Sequence, residues 1–337
     1  MKASRKKDQK ITEQEKVDKR REEVLATGRK FKYPLQLTKH RIVVNTILIS
    51  TVTIALVITG IWLGLYKLNM TNDLLFRITE VVPVSVAKVE DRDVRFSDYL
   101  MFYRSSIKSV ERQTTNQIDK ESLAQLRLDY QHSALTEAEK YTYALKLAED
   151  LNIEISDQEI SNEFKRHLNI GGVERSEEGF IKIIEDNFGL NKSEYKRMLY
   201  LTLVKSKVEI ASDGTANEIA KKVEEILAST DNDYQKAAEG LGEKIIYEET
   251  GGLVDSKNID GGRANEAMKL EPGKSSGKFI STNGDGYYFV KLINKTDTSV
   301  DFVSIKVPFA KFSDDFAKLQ ESGKIIEYVT IPDSLGQ

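Results

Sequence analysis

The sequence predicts an α+β protein: a single transmembrane helix, a mainly helical body and a small α/β domain. Three observations predict it. A run of 25 residues without a charge lies between Arg41 and Lys67. Apolar residues then recur at spacings of three and four through much of residues 97–208, the pattern of amphipathic helices. After about residue 210, strand and helix patterns alternate between Gly-rich loops, which indicates a compact α+β unit.

Composition narrows the chemistry. A length of 337 residues suggests two or three folded units. With no cysteine, disulfide frameworks, thiolate zinc sites and cysteine nucleophiles are excluded. The three histidines, His40, His132 and His167, leave little for a histidine-based site, and no metal or cofactor is expected. Residues 1–41 hold 14 Lys/Arg against 6 Asp/Glu, a net of +8, so the rest of the chain carries −11. A basic head on an acidic body is a division by compartment.

Residues 42–66 form the membrane segment. As a helix they would run about 37 Å, enough to cross a hydrocarbon core of about 30 Å with some tilt. Trp62 and Tyr66 stand at one end, where amphipathic rings favour the headgroup level. A cleaved signal peptide would have a shorter apolar region followed by a small-residue cleavage site, so an uncleaved anchor is the better reading. Positive residues stay cytoplasmic, which places residues 1–41 inside and the C-terminal body outside, at a cell membrane crossed once. The basic head lacks interleaved aromatics or a DNA-binding motif, and no nucleic-acid partner is expected.

In the body, residues 82–96 alternate apolar and polar side chains around Glu90-Asp91-Arg92, a hairpin whose turn lacks glycine. Ser97 is positioned to cap a helix carrying Tyr99, Phe102, Tyr103, Ile107 and Val110. The polar stretch 111–132 reads as a loop followed by more helix. Leu135, Ala138, Tyr141, Leu145 and Ala148 mark the next apolar face. Ser156 with Glu159, and Asn191 with Glu194, have capping-box spacing, and Gly189 ends the helix between them. The four short amphipathic helices after residue 134 must bury their faces against one another. Beyond residue 210 come a helix over 216–229, a hairpin joining KFIST to YYFVKLI through Asn283-Gly284-Asp285-Gly286, the strand FVSIKVPF, a helix around Phe316 and Leu319, and the strand KIIEYVTI.

Several stretches carry a family resemblance. VAKVEDRDVRFSDYL, LAEDLNIEISDQEISNEF and NFGLNKSEYKRMLYLTLVKSKV together resemble the N-terminal module of SurA-type periplasmic chaperones. ESGKIIEYV resembles the segment that closes that module, so both ends of the body are expected to meet there. Between them, ANEIAKKVEEILAS, DYQKAAEGLG, TGGLVDS and EAMKLEPGKSSGKFISTNGDGYYFVKL are similar, over residues 208–295, to parvulin-type (PpiC-like) peptidyl-prolyl isomerases. With the anchor, the layout resembles the SurA/PpiD/PrsA-like membrane-anchored chaperones. The resemblance implies five regions: a cytoplasmic segment (1–41), the transmembrane helix (42–66), a SurA-like helical chaperone domain (67–209), a degenerate parvulin-like domain (210–300), and a strand-helix-strand completing the chaperone domain (301–337).

The function it implies is extracytoplasmic chaperoning of unfolded or newly translocated polypeptides. An active prolyl isomerase and a scaffold with one dedicated partner are the other readings. By resemblance the parvulin-like groove would hold Leu253, Ile259, Met268 and Tyr288. Tyr288 stands where the family has a histidine, and a second expected histidine falls near Glu209, or at Ser304 if the FVSIKV strand plays that part. Arg263 aligns with the aromatic floor of the proline pocket, where a poorly solvated charge disfavours burial of a proline ring. No histidine follows His167, so weak or absent isomerase activity is expected, with no catalytic residue assigned. Asp255, Asn258 and Asp260 lack the ligand spacing of a calcium loop, His167 reads as a partly buried structural residue, and Glu248 and Glu249 as solvated surface.

Overall fold

The computed structural model describes residues 2–113, 119–169 and 173–334. The chain divides into two compact units between Gly64 and Leu65. Helix α1 (Lys2–Tyr66) supplies all of the first. Its stretch His40–Tyr66 is long and apolar enough to cross a membrane, with a mean hydropathy of 2.3 over its most apolar window. Its threonines are accommodated within the helix: Thr46, Thr51 and Thr59 each donate to the carbonyl four residues earlier, at 2.8–2.9 Å.

The second unit begins with α2 (Asp73–Val81), capped by the Asn72 side chain on the Leu75 N–H. Strands β1 (Ser85–Val89) and β2 (Arg92–Arg95) form the expected hairpin, with Val89 opposite Arg92. Glu90 takes the left-handed backbone, φ 53°, that a glycine would otherwise supply. The chain passes directly from β2 into α3 (Phe96–Gln113), whose first residue donates its N–H to the Val84 carbonyl. Ser97 therefore lies inside the first turn and does not cap it: the side chain is buried, and its hydroxyl has no hydrogen-bond partner among the described residues. The polar stretch beginning at residue 120 is helical, part of a 31-residue α4 (Lys120–Asp150) that packs against α3.

Three shorter signals are realised as read. α5 (Asp157–Leu168) opens with the Ser156/Glu159 capping box. α6 (Glu177–Phe188) closes on Gly189 at φ 66°. α7 (Lys192–Ser212) opens with the Asn191/Glu194 box. In each box the side chain and backbone satisfy one another's exposed donors. The core between these helices is aromatic, with Phe164, Phe180 and Tyr195 meeting edge to face at 5.5–6.1 Å. His167 completes the wall, its Nδ1 on the Tyr195 hydroxyl and its Nε2 3.1 Å from Glu163.

After α8 (Gly214–Ser229) and α9 (Tyr234–Leu241) come β3 (Ile246–Glu249), β4 (Val254–Asp255), α10 (Arg263–Met268), β5 (Phe279–Ile280), β6 (Gly286–Lys295) and β7 (Ser299–Pro308). The antiparallel sheet has the order β3-β7-β6-β5, with β4 also on β7. The last strand in sequence is thus central, and the sheet extends past residue 300, where the sequence reading ends its small domain. At Gly286 a Cβ would meet the Val307 carbonyl oxygen at 2.5 Å, so this close crossing of β6 and β7 requires glycine. One face of the sheet packs on α8 and α9 through Phe289, Ile305, Val223 and Tyr234; the other packs on α10 through Leu292, Phe302 and Ala264.

The chain then returns to the helical part. α11 (Lys311–Glu321) packs on α7 and sets Phe312 and Phe316 against Tyr143. β8 (Ile325–Glu327) pairs with β1 in a three-stranded sheet of order β2-β1-β8. The two ends of the body thereby share one sheet.

Candidate functional site

The helical part and the small domain each hold a cavity lined by charged side chains. The first lies in the helical part, about 600 Å³ in volume, between the start of α2 and helices α3, α4 and α6. Met70, Tyr103 and Ile107 give it apolar surface; Arg104, Lys108 and Arg127 are its cations. Arg104 is held rigidly, pairing with Asp73 at 2.7 Å and lying 4.2 Å over the Phe76 ring. A mixed lining of this kind suits an extended polypeptide, whose backbone is polar and whose side chains vary.

The walls of the helical part are tied by buried charge. Asp98 accepts a two-pronged bond from Arg197, at 2.7 and 3.2 Å, and Glu194 accepts from Arg77 as well as from its own cap partner Asn191. Removing one member of such a pair strands the other in a poorly solvated place. These ties therefore join α7 to α2 and to α3.

The second cavity, about 380 Å³, opens in the small domain. β3 and β7 supply Glu248, Phe302 and Ser304, and the loop after β4 supplies Asn258 and Asp260. Arg263, at the start of α10, extends its guanidinium across the site. It is paired with Glu248, lies 3.3 Å from the Ser304 hydroxyl, and donates its Nε–H to the Asp260 carbonyl at 2.9 Å. Behind it, the Tyr288 ring has Arg263 and Lys306 over its face at 5.4 and 5.7 Å. Lys306 and Ser281 both donate to Asp285. Burial pushes the Asp285 carboxyl up, but these bonds outweigh it and hold its pKa below the ordinary value. Burial, with Asp285 nearby, raises the Tyr288 phenol, which stays neutral.

The four residues that sequence assigns to a groove fall in different places. Leu253 and Ile259 are 51% and 73% exposed on the loop between β3 and α10. Met268 packs on the core between α10 and the sheet. Tyr288 is buried and reaches the cavity only through Arg263. Of the two positions weighed for the second histidine, Ser304 is in the cavity, whereas Glu209 lies on α7 in an ion pair with Lys205. Glu248 is more than solvated surface, because the β3–β7 pairing sets it opposite Ser304 and within reach of Arg263. No local pattern announces that contact. Asp255 and Asp260 are committed to backbone, accepting from Lys257 N–H and from Ala264 N–H at the start of α10.

A family model for the SurA-like N-terminal domain matches residues 36–204. No curated protein matches the chain. The match begins within α1 and runs to the middle of α7, taking in the hairpin and the first cavity's helices. Covering half of the sequence, it shows that the chain belongs to the SurA-like N-terminal domain family.

Proposed function

We propose that this protein is a membrane-anchored, extracytoplasmic folding chaperone that holds unfolded or newly translocated polypeptides. Membership of the SurA-like family carries the reading. The cavity between α2, α3, α4 and α6 supports it, offering apolar surface beside fixed charges to a chain that has not yet buried its own. The stretch His40–Tyr66, with the positive excess before it, supports an anchor whose C-terminal body is outside. A holdase at that place would meet polypeptides as they emerge. The full chain in detergent micelles is expected to suppress aggregation of a reduced, unfolded client. Unchanged light scattering at several-fold molar excess would remove the reading.

The small domain is read as parvulin-like and poor at isomerisation. Catalysis at an X–Pro bond needs a dry seat for the ring while the amide twists through a barrier of about 18–20 kcal/mol. Here Arg263, tied to Glu248 and Ser304, occupies the cavity. A protease-coupled assay on X–Pro peptides is expected to show the uncatalysed rate. The apolar patch of Phe302 and Val254 beside that arginine is what favours the rival reading, an active isomerase. Acceleration that disappears in Phe302→Ala would establish the rival.

A further inference from the structure

Helix α2 buries one face in the body and leaves the opposite face bare. Leu75, Phe76 and Thr79 point inward, while Leu74 and Val81, seven residues apart and so on one face, are 70% and 83% exposed. Ile78, half-buried, completes the stripe between them. The charged side chains of the helix do not cover it, being engaged elsewhere: Asp73 with Arg104, Arg77 with Glu80 and Glu194. Leu68, just upstream, adds exposed apolar surface. Helices at a protein–water boundary turn polar residues outward, so an outward face of Leu, Ile and Val indicates a different solvent.

The chain itself indicates which. The body takes hold of the last two residues of the apolar stretch: Leu65 is 1% exposed, and Tyr66 donates to the Ser85 carbonyl at 2.6 Å with Phe96 edge-on to its ring. Asp73 follows seven residues after Tyr66, a reach of about 25 Å at most. The stripe is thus confined close to where the apolar stretch ends. A partner protein would have to compete there with lipid already present. We infer that the outward stripe of α2, Leu74, Ile78 and Val81, seats in the lipid headgroup–acyl boundary of the leaflet where the span ends, as interfacial helices do. The inference rests on reading His40–Tyr66 as a membrane span.

The absence of cysteine makes a direct test available. The full chain is reconstituted in phosphatidylcholine/phosphatidylglycerol vesicles with one environment-sensitive fluorophore on Leu74→Cys or Val81→Cys. Val52→Cys, within the apolar stretch, and Ile293→Cys, exposed on β6, serve as references. Lipids brominated near the headgroup should quench the probes at 74 and 81, lipids brominated deep in the chain should quench the probe at 52, and neither should quench the probe at 293. Quenching at 52 with aqueous spectra at 74 and 81 overturns the inference while the span stands. No quenching at 52 removes the span and the inference together. Equal shallow quenching at 293 marks non-specific contact and also overturns it. A blue shift at 74 without bromine quenching assigns the stripe to a second copy if it rises with protein concentration, or to a client if it needs added unfolded polypeptide; either result replaces lipid as the occupant.

Discussion

Glu139 is a carboxyl group shut away from solvent. It lies on α4 at 1% exposure, and its Oε1 has no hydrogen-bond partner among the described residues. Burial, with Glu327 nearby, pushes its pKa up to about 8. The folded state therefore holds a proton that the unfolded chain releases near pH 4.5, and stability falls as pH rises from about 4.5 to 8. Glu327, raised by its own burial, adds to the same slope. Glu139→Gln is expected to flatten the decline and to raise stability at pH 8 by about 1–3 kcal/mol. Urea titrations of Leu65–Gln337 between pH 5 and 8 measure it; an unchanged slope would place the proton elsewhere. The apolar spacing on α4 was legible around Glu139, since Leu135 and Ala138 are its neighbours, but that a charge shares their face is known only from the packing.

At the scale of elements, the best-read helices are those whose ends are written locally. Asn191 and Glu194 lie three residues apart, and their hydrogen bonds form within one turn. Asn191→Ala should destabilise the body by about 1 kcal/mol, and somewhat more if the buried Glu194 loses its orientation toward Arg77. Denaturant midpoints decide it, and no change would mean that the box contributes nothing beyond its geometry. Ser97 shows the opposite case. Its residue type and spacing suit a cap, yet the β2 strand runs straight into the helix and moves the start two residues earlier, from Asp98 to Phe96. Strand pairing was still less legible: the alternation in FVSIKVPF identifies a strand, while its central place between β3 and β6 depends on residues 10 to 60 positions away.

For the whole molecule, the junction between the apolar stretch and the body is the consequential feature. The body's core includes Leu65, and Tyr66 packs at its edge. A soluble fragment beginning at Lys67 therefore loses a buried leucine and a tyrosine hydrogen bond, an expected cost of about 2–4 kcal/mol relative to one beginning at Leu65. Urea unfolding of the two fragments compares them directly. Equal stability would show that the body is independent of the last turn of the apolar stretch. Holdase assays on the shorter fragment would confound weak binding with partial unfolding.

The amino-acid sequence by itself determined the features that arise over a few consecutive residues: an apolar run long enough to cross a membrane, helix faces, three of the helix ends, and the hairpins around 90 and 284. Each depends on propensity, periodicity or capping, which act within one or two turns of chain. Tertiary structure alone decided which side chains meet. It brought Glu248 and Ser304 to Arg263, and Leu65 into the body's core, and it left Leu253 and Ile259 outside the cavity. Those contacts join residues far apart in sequence, and their energies come from burial and charge pairing that do not exist until the chain has folded.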